Sequence, residues 1–561
     1  MKNKIFVLLI FISYFSFAQE SDLGVQEIQV TESFIPSVPI ANKIMDLPQS
    51  QDTFNVETEV QYFLNSKQYL TSYSVDTISP AKIKGEPLSK LYSTYLKLGL
   101  GNNALPYADF FYNSTRNKSF NYGVRLGFWQ SYMNAKNEFL NDKVAADARQ
   151  TNFNLFAKKV FDFGSLNASL SREGNNLLAY GTTKALWGSI ADKDLLNQYW
   201  GYSNFDVSIE SNQRQHFNYF AKLFVSDVNE QTESSVGLRS QIESSYNNID
   251  YSVALNIDYD FNNLNDKVAF YEDKTREVIT SVVPAIKKQF KNIEGVYGIN
   301  YVMINHTDSS ISSSAVYPNV RLDYTFVNDI VRTYLGVDGG IEDNSYWNLS
   351  KDNPFVLNAL DNGNKSLEMN NSDVKYNAFV GVDSKLSSKL FFSSKLSYAK
   401  VDYIPFYELD LSSTFQNKFK VIYDNGTHLN LFSMIDYKIS SSKGVSLSLN
   451  YQSFDLDTLS SYNYKPTFKV NLKGYYNIVD AIIASMEVFA EIDRSVSLYG
   501  DNVVQSQELG DIVDVNLSLE YKINNVFSFY LLANNLVGGY QIWQNYSALS
   551  PQIQIGVTYR Y

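Results

Sequence analysis

The sequence predicts an all-β protein, a transmembrane antiparallel β-barrel of about 22 strands that follows a short extended N-terminal segment. Three observations support this fold class. Apolar and polar residues alternate over repeated runs from residue 91 onward, short turn sequences recur between the runs, and the chain begins with an export signal. The predicted location is the cell outer membrane.

The export signal has the three parts of a secretory signal peptide. Lys2 and Lys4 precede an apolar run over residues 5–15, and the small-residue boundary 16–18 ends before Gln19. We therefore predict a signal peptide over residues 1–18. No later window offers about 18 consecutive apolar residues, so strands and not helices are expected to cross the membrane.

Composition excludes several classes of protein. The chain has 42 tyrosines, 37 phenylalanines, no cysteine and a net charge of −12. The lack of cysteine excludes a disulfide scaffold and a thiolate metal site. The negative charge argues against nucleic acid as a partner, because phosphate is bound through an excess of Lys and Arg.

The final segment shows the alternation most clearly. Its apolar members are Ile553, Ile555, Val557, Tyr559 and Tyr561, each separated from the next by one polar or small residue. A soluble sandwich would bury such an apolar face in its core, whereas a membrane barrel turns it toward lipid. The repeated strand length, the export signal and the aromatic residues at strand ends favour the barrel.

Short turns give the strand count. Outer-membrane barrels place short turns on the periplasmic side and long loops outside. Together with an opening hairpin and a closing pair of strands, these turns give eleven hairpins and therefore about 22 strands. The predicted divisions are an extended 19–90 segment, which is periplasmic or lies in the lumen, and a 91–561 barrel. The turns lie at 116–118, 162–164, 213–215, 247–248, 291–292, 328–329, 387–388, 442–444, 479–480 and 524–525.

The closing segment carries a resemblance to a known family. Ala533-Asn534-Asn535-Leu536, then Tyr540, Trp543 and Tyr546, and the ending Tyr559-Arg560-Tyr561 resemble the end of TonB-dependent receptor barrels, especially those of Bacteroidota. The resemblance implies passage or uptake of a nutrient, TonB as a possible partner, and recognition of Tyr559 and Tyr561 by the barrel-assembly machinery. It implies no catalysis and no cofactor.

The chain departs from that family at its N-terminus. Such receptors carry a globular plug inside the barrel, and the 19–90 segment is too short and too rich in proline to match it. Within this segment Glu27, Ile28, Gln29, Val30 and Thr31 resemble a TonB box, which pairs edge to edge with a strand of the coupling protein. An ordinary extended tail is the alternative. The 19–90 segment, inward side chains, long loops or a partner protein would then have to occlude the lumen.

The longest loop, 343–371, supplies the candidate ligand contacts. Tyr346, Trp347 and Phe355 stand there among Asn and Asp residues, and aromatic platforms beside amides suit sugars or peptides. The same residues suit a loop that folds over the barrel mouth.

Catalysis and metal binding have weaker support. A barrel enzyme would need one of His216, His306 and His428 beside a carboxylate and a nucleophile. No calcium, zinc or nucleotide motif is complete, so we predict no metal site. The sequence therefore predicts a nutrient-uptake barrel in contact with outer-membrane lipid, and a structural or accessory barrel that scaffolds an outer-membrane complex is the alternative.

Overall fold

A computed structural model describes most of the chain after residue 90. The described residues are 91–102, 106–115, 117–132, 134–137, 142–182, 186, 190, 196–212, 217–229, 233–262, 276–306, 312–327, 330–357, 369–500 and 503–561. The predicted signal peptide and the 19–90 segment lie outside these residues. Among the residues described, no helix combines the length and the apolarity that crossing a membrane requires.

Strands make up most of the described chain, and 22 of them form one sheet. The strands are β1 Thr94–Gly101, β2 Tyr107–Asn113, β3 Phe120–Ser131, β4 Asn134–Asn137, β5 Asp142–Ala145, β6 Ala148–Val160, β7 Gly164–Leu178, β8 Asn197–Ser211, β9 Phe217–Asn229, β10 Glu233–Tyr246, β11 Ile249–Asn262, β12 Arg276–Phe290, β13 Ile293–His306, β14 Ser312–Val327, β15 Val331–Glu342, β16 Ser372–Lys385, β17 Leu390–Leu409, β18 Phe419–Ser440, β19 Lys443–Leu456, β20 Phe468–Val479, β21 Ile482–Ile492, β22 Ser495–Gly500, β23 Val503–Glu508, β24 Ile512–Lys522, β25 Phe527–Asn534, β26 Gln541–Trp543, β27 Tyr546–Ser547 and β28 Gln552–Arg560.

The sheet closes into a barrel. Each strand pairs antiparallel with its neighbour along the chain, and β1 pairs with β28 from Tyr95 opposite Arg560 to Gly101 opposite Gln554. Three two-stranded hairpins, β4–β5, β22–β23 and β26–β27, stand outside the ring. The predicted fold class and the count of 22 strands are confirmed.

The outer face of the ring is apolar and exposed. Leu98, Leu100 and Ile555 point outward at the closing seam, and similar residues repeat around the barrel. These side chains stay uncovered because they face lipid instead of a second sheet. The soluble sandwich is therefore ruled out as a description of this alternation.

The inner face is polar and carries paired charges. Arg125 Nε lies 3.0 Å from Asp109, Arg321 Nε lies 2.9 Å from Asp323, and further pairs of this kind line other strands. Ions lining a wet lumen keep their hydration, so these pairs make the inner wall compatible with water and polar solutes.

Short turns join the strands at one end of the barrel. Asn247 and Asn248 have φ of 51° and 59°, the left-handed conformation that a two-residue hairpin requires. The strand termini at Thr94 and Arg560 lie at this same end, so it is the periplasmic end. The predicted turns are confirmed where described, and residues 116, 213–215 and 328–329 lie outside the described residues.

The closing seam contains a tightly packed tyrosine. Gly99 of β1 is directly opposite Gly556 of β28, and the buried Tyr530 ring of β25 lies over both glycines on the inner wall. Lys97 Nζ lies 4.3 Å from the centroid of that ring. A Cβ at Gly99 would overlap the Tyr530 hydroxyl, so the absence of a side chain there is a packing requirement.

Candidate functional site

The connections opposite the short turns fold together across the barrel mouth. We call this assembly the loop cap. Its described residues come from the connections β3–β6, β7–β8, β15–β16, β17–β18, β19–β20, β21–β24 and β25–β28 together with the strand ends next to them. The largest cluster of buried apolar residues in the described chain lies in this cap and not between the strands.

Loops from opposite walls meet in the cap. Asn417 Nδ2, between β17 and β18, donates to the Ala179 carbonyl at 2.6 Å, and Thr182 Oγ1 donates to the Phe415 carbonyl at 2.7 Å. Strands β7 and β8 are fifth and sixth around the ring, while β17 and β18 are fifteenth and sixteenth of 22. These contacts therefore cross almost the full diameter of the mouth.

Tyr546 occupies the centre of the cap. Its ring is fully buried, stacks on Phe355 with centroids 3.7 Å apart, and meets Tyr180 edge-on at 4.9 Å. Its hydroxyl donates to the Asn417 carbonyl at 2.5 Å. A Cβ on Gly181 would overlap the Tyr546 ring. One side chain thus joins three connections of the cap.

Several buried polar groups of the cap form hydrogen bonds across it. Gln198 and Lys418 are both buried, and Lys418 Nζ donates to Gln198 Oε1 at 2.5 Å while Gln198 Nε2 donates to the Val356 carbonyl at 3.0 Å. Burial raises the pKa of the Tyr180 phenol, so it stays protonated and donates to the Ser547 carbonyl at 2.7 Å. Such networks specify one arrangement of the loops.

Helix α1, Tyr346–Asp352, is held from another part of the wall. The Glu233 carboxylate, at the start of β10, accepts from the backbone N–H groups of Tyr346 at 2.6 Å and Trp347 at 3.4 Å. These N–H groups have no partner within a helix, so a carboxylate there both satisfies them and interacts favourably with the helix dipole.

A cavity of about 300 Å³ lies between α1 and the inner wall. Strand register explains its composition, because Trp129, Gln150, Asn175 and Trp200 are directly opposite one another across β3, β6, β7 and β8. Glu173 lies two residues before Asn175 on β7, so it is on the same face and nearer the short-turn end of the barrel. Trp347 and Lys351 of α1 line the opposite side. We call these seven residues the tryptophan site.

Charges and amides of the tryptophan site are ordered. Gln150 Nε2 and Asn175 Nδ2 donate to the same oxygen of Glu173, at 3.2 Å and 3.1 Å. Trp347 stacks on Tyr202 with centroids 4.2 Å apart, and Lys351 Nζ lies 4.4 Å from the Trp347 centroid. The lining of the cavity therefore offers aromatic rings, amide oxygens, a carboxylate and an ammonium.

The structure separates the three candidate loop residues. Tyr346 is fully buried, and Phe355 packs against Tyr546 inside the cap. Trp347 lines the cavity, although only 8% of it is exposed. The described residues of this loop, 343–357 and 369–371, thus lie over the mouth, as one of the two interpretations of the sequence predicted, and ligand contact by Tyr346, Trp347 and Phe355 stays a prediction.

The other predicted site residues lie apart from the cap. Tyr559 is on the outer face of β28, with its ring 4.9 Å from Phe527, and Tyr561 follows it at the periplasmic rim. Their recognition during assembly stays a prediction. Glu27, Ile28, Gln29, Val30 and Thr31 lie outside the described residues.

The two histidines among the described residues do not gather into one site. His306 ends β13 and His428 lies on β18, five strands away around the ring, where it stacks on Phe454 at 4.2 Å. His216 lies outside the described residues. Within the described ranges, no group of three or more His, Asp or Glu could hold a metal ion.

Sequence reasoning missed most of the tryptophan site. Alternation along β3 places Trp129 on the same face as Arg125, but it carries no information on which residues of β6, β7 and β8 lie opposite. The register that aligns the two tryptophans with the two amides depends on loop lengths and strand stagger. The signal available was the scarcity of tryptophan, since the chain has only five.

Comparison with known proteins identifies the barrel type through structure alone. No protein-family profile and no curated protein sequence matches the chain. The FrpB iron transporter of Neisseria meningitidis superposes with a TM-score of 0.62 at 11% identity, over 84% of this chain and 82% of that one.

Two further solved structures are similar. The ferric-catecholate import receptor Fiu of E. coli K12 gives a TM-score of 0.57 at 9% identity, over 84% of this chain and 82% of that one. The pyoverdine receptor FpvA of Pseudomonas aeruginosa PAO1, solved with pyoverdine, gives 0.57 at 9% identity, over 84% and 79%. The described chain is therefore an outer-membrane β-barrel with the fold of TonB-dependent receptors.

Proposed function

We propose that this protein admits a nutrient across the outer membrane and that the loop cap is its outer gate. The observation that carries the proposal is the contact of loops from opposite walls above a polar lumen. A closed ring of 22 strands encloses enough space for a large solute. Loops held by hydrogen bonds and ring stacking can retain the barrier and still separate when a solute binds.

A disulfide across the cap tests the gate. Thr182→Cys together with Phe415→Cys joins two loops from opposite walls, and the chain has no other cysteine to compete. Uptake is measured by mass spectrometry as depletion of medium components, in cells carrying the protein against cells lacking it. We expect oxidation to stop the depletion that depends on this protein and a reductant to restore it.

A second cysteine pair supplies the matched control. Ser245→Cys with Asp250→Cys links directly opposite residues of β10 and β11 at the short-turn end, away from the cap. Oxidation of this pair should leave depletion unchanged. If no medium component depends on the protein, the uptake proposal is wrong; if the locked cap still admits the solute, the gate proposal is wrong.

Energy coupling is a separate part of the proposal. The segment Glu27 to Thr31 resembles a TonB box, and deletion of residues 19–34 removes it while leaving the whole barrel. We expect this deletion to abolish protein-dependent depletion without reducing the amount of barrel in the outer membrane. Unchanged depletion would show that TonB is not engaged through this segment.

One observation favours a second candidate function. The cap contains buried polar pairs such as Gln198 and Lys418, which make the closed arrangement specific. A permanently closed barrel would suit a structural or accessory member of an outer-membrane complex. Purification in mild detergent distinguishes the two, because an accessory barrel should retain a stoichiometric protein partner.

A further inference from the structure

We propose that the tryptophan site binds a neutral oligosaccharide. This inference rests on the proposed uptake function for its biological role, because it names the class of solute that the barrel would admit. On the inner wall, four side chains from four neighbouring strands form one row: Trp129, Gln150, Asn175 and Trp200.

The spacing of the row suits an extended ligand. Neighbouring strands lie about 4.8 Å apart, so the backbones of Trp129 and Trp200 are separated by about 14 Å with two amides between them. Trp200 lines the cavity but is only 4% exposed, so it has little surface for stacking. Trp129 is half-buried and is the ring with surface left for stacking. A sugar ring on Trp129 would direct further sugar units along the amides.

The hydrogen-bonding groups favour hydroxyls. Gln150 and Asn175 both donate their NH₂ groups to Glu173, which directs their carbonyl oxygens away from that carboxylate. Lys351 contributes a donor from the helix side of the cavity. The site therefore contains both acceptors and donors, and a hydroxyl can serve either. An apolar ligand would leave the carbonyl oxygens of the two amides desolvated without hydrogen-bond donors.

Charge argues for a neutral ligand. Glu173 and Lys351 carry opposite charges, so the two together leave the cavity without net charge. Arg149 also lines the cavity, but its guanidinium lies 5.5 Å from the Phe128 ring on the outer face of the wall. An anion would meet the Glu173 carboxylate, and a cation would meet Lys351. The volume of about 300 Å³ is at the lower end of the range for ligand pockets and suits one or two sugar rings.

Binding is tested on the purified full-length protein with defined probes. Cellotriose, maltotriose and N-acetylated chitotriose, with trialanine as a peptide probe, are titrated while tryptophan fluorescence is followed, and saturation-transfer NMR reports which protons of the probe contact the protein. We expect at least one trisaccharide to bind saturably. Trp129→Ala should weaken that binding about tenfold or more, whereas Trp129→Phe keeps a ring and should retain most of it.

Further variants separate the site from the lumen in general. Gln150→Ala and Asn175→Ala should each weaken binding by about twofold to tenfold. Phe432→Ala is the matched control, since Phe432 is an inner-wall aromatic on β18 that is 40% exposed and distant from the site. Gel mobility before and after heating shows that each variant has folded.

Each outcome supports or overturns oligosaccharide binding at the tryptophan site. Failure of all three trisaccharides to saturate, or equal binding by the Trp129→Ala protein, overturns it. Binding of trialanine alone, lost in Trp129→Ala, also overturns it and indicates a peptide ligand. Trisaccharide binding without any protein-dependent depletion from the medium supports the site and rejects the uptake function, so the two failures are distinguishable.

Discussion

Tyr546→Ala should convert a closed barrel into a conducting pore. The fully buried ring joins Phe355, Tyr180 and the Asn417 carbonyl, so its removal leaves a void where three connections meet. Replacing a buried aromatic ring by alanine typically costs about 3–5 kcal/mol. This loss of stability affects the cap and not the barrel, because the strands keep the hydrogen bonds to their neighbours. We expect large single-channel currents in planar bilayers and greater sensitivity of cells to large antibiotics.

Two controls isolate the ring of Tyr546. Tyr546→Phe keeps the ring, loses the hydrogen bond to the Asn417 carbonyl and should cost about 1 kcal/mol, with the barrel remaining closed. Tyr246→Ala removes a tyrosine that is 68% exposed at the short-turn end, and it should change neither current nor sensitivity. Currents in Tyr546→Ala that match the wild type would mean that something other than the cap closes the mouth.

Gly99→Ala should impair closure of the barrel. The new methyl group would overlap the Tyr530 hydroxyl at the pairing of β1 with β28, which closes the described ring. Overpacking a tight site costs about 1–3 kcal/mol, and here the strain opposes the step that completes the ring. We expect a lower urea midpoint for the purified protein and less heat-modifiable barrel in the outer membrane.

A second substitution should reverse this effect. Tyr530→Phe removes the hydroxyl that the new methyl group would strike, while the next atoms, those of Gln554, lie 3.0 Å or more from the added carbon. The double variant should therefore recover most of the lost stability, and Tyr530→Phe alone should behave nearly as the wild type. Equal defects in the single Gly99→Ala and double variants would show that the strain lies in the backbone.

The barrel could be predicted from the sequence because its two determinants are local. Alternation assigns each residue to a face, and turn residues such as Asn247 and Asn248 mark where one strand ends and the next begins. Both the alternation and the turn residues can be recognised in a single sequence. The closing of the ring then follows from the need to leave no edge in lipid.

The cap could not be predicted in the same way. Tyr546, Phe355 and Tyr180 are separated by up to several hundred positions, and nothing local distinguishes them from other loop tyrosines and phenylalanines. The tryptophan site depends on register among four strands, which a shift of one residue would turn to the other face. Long-range packing determines both the loop cap and the tryptophan site, and such packing cannot be read from a single sequence.

The seam between the first and last strands also sets how the barrel would bear mechanical load. Thr94 and Tyr561 exchange backbone hydrogen bonds of 2.8 Å and 2.9 Å at the periplasmic rim. A pull on the chain ahead of β1, directed along that strand, would stretch the hydrogen bonds to β2 and β28 in parallel and not one after another. Hydrogen bonds that share a load in parallel fail together and at high force. The N-terminal attachment point is thus one at which tension can be applied from the periplasm without peeling the ring open.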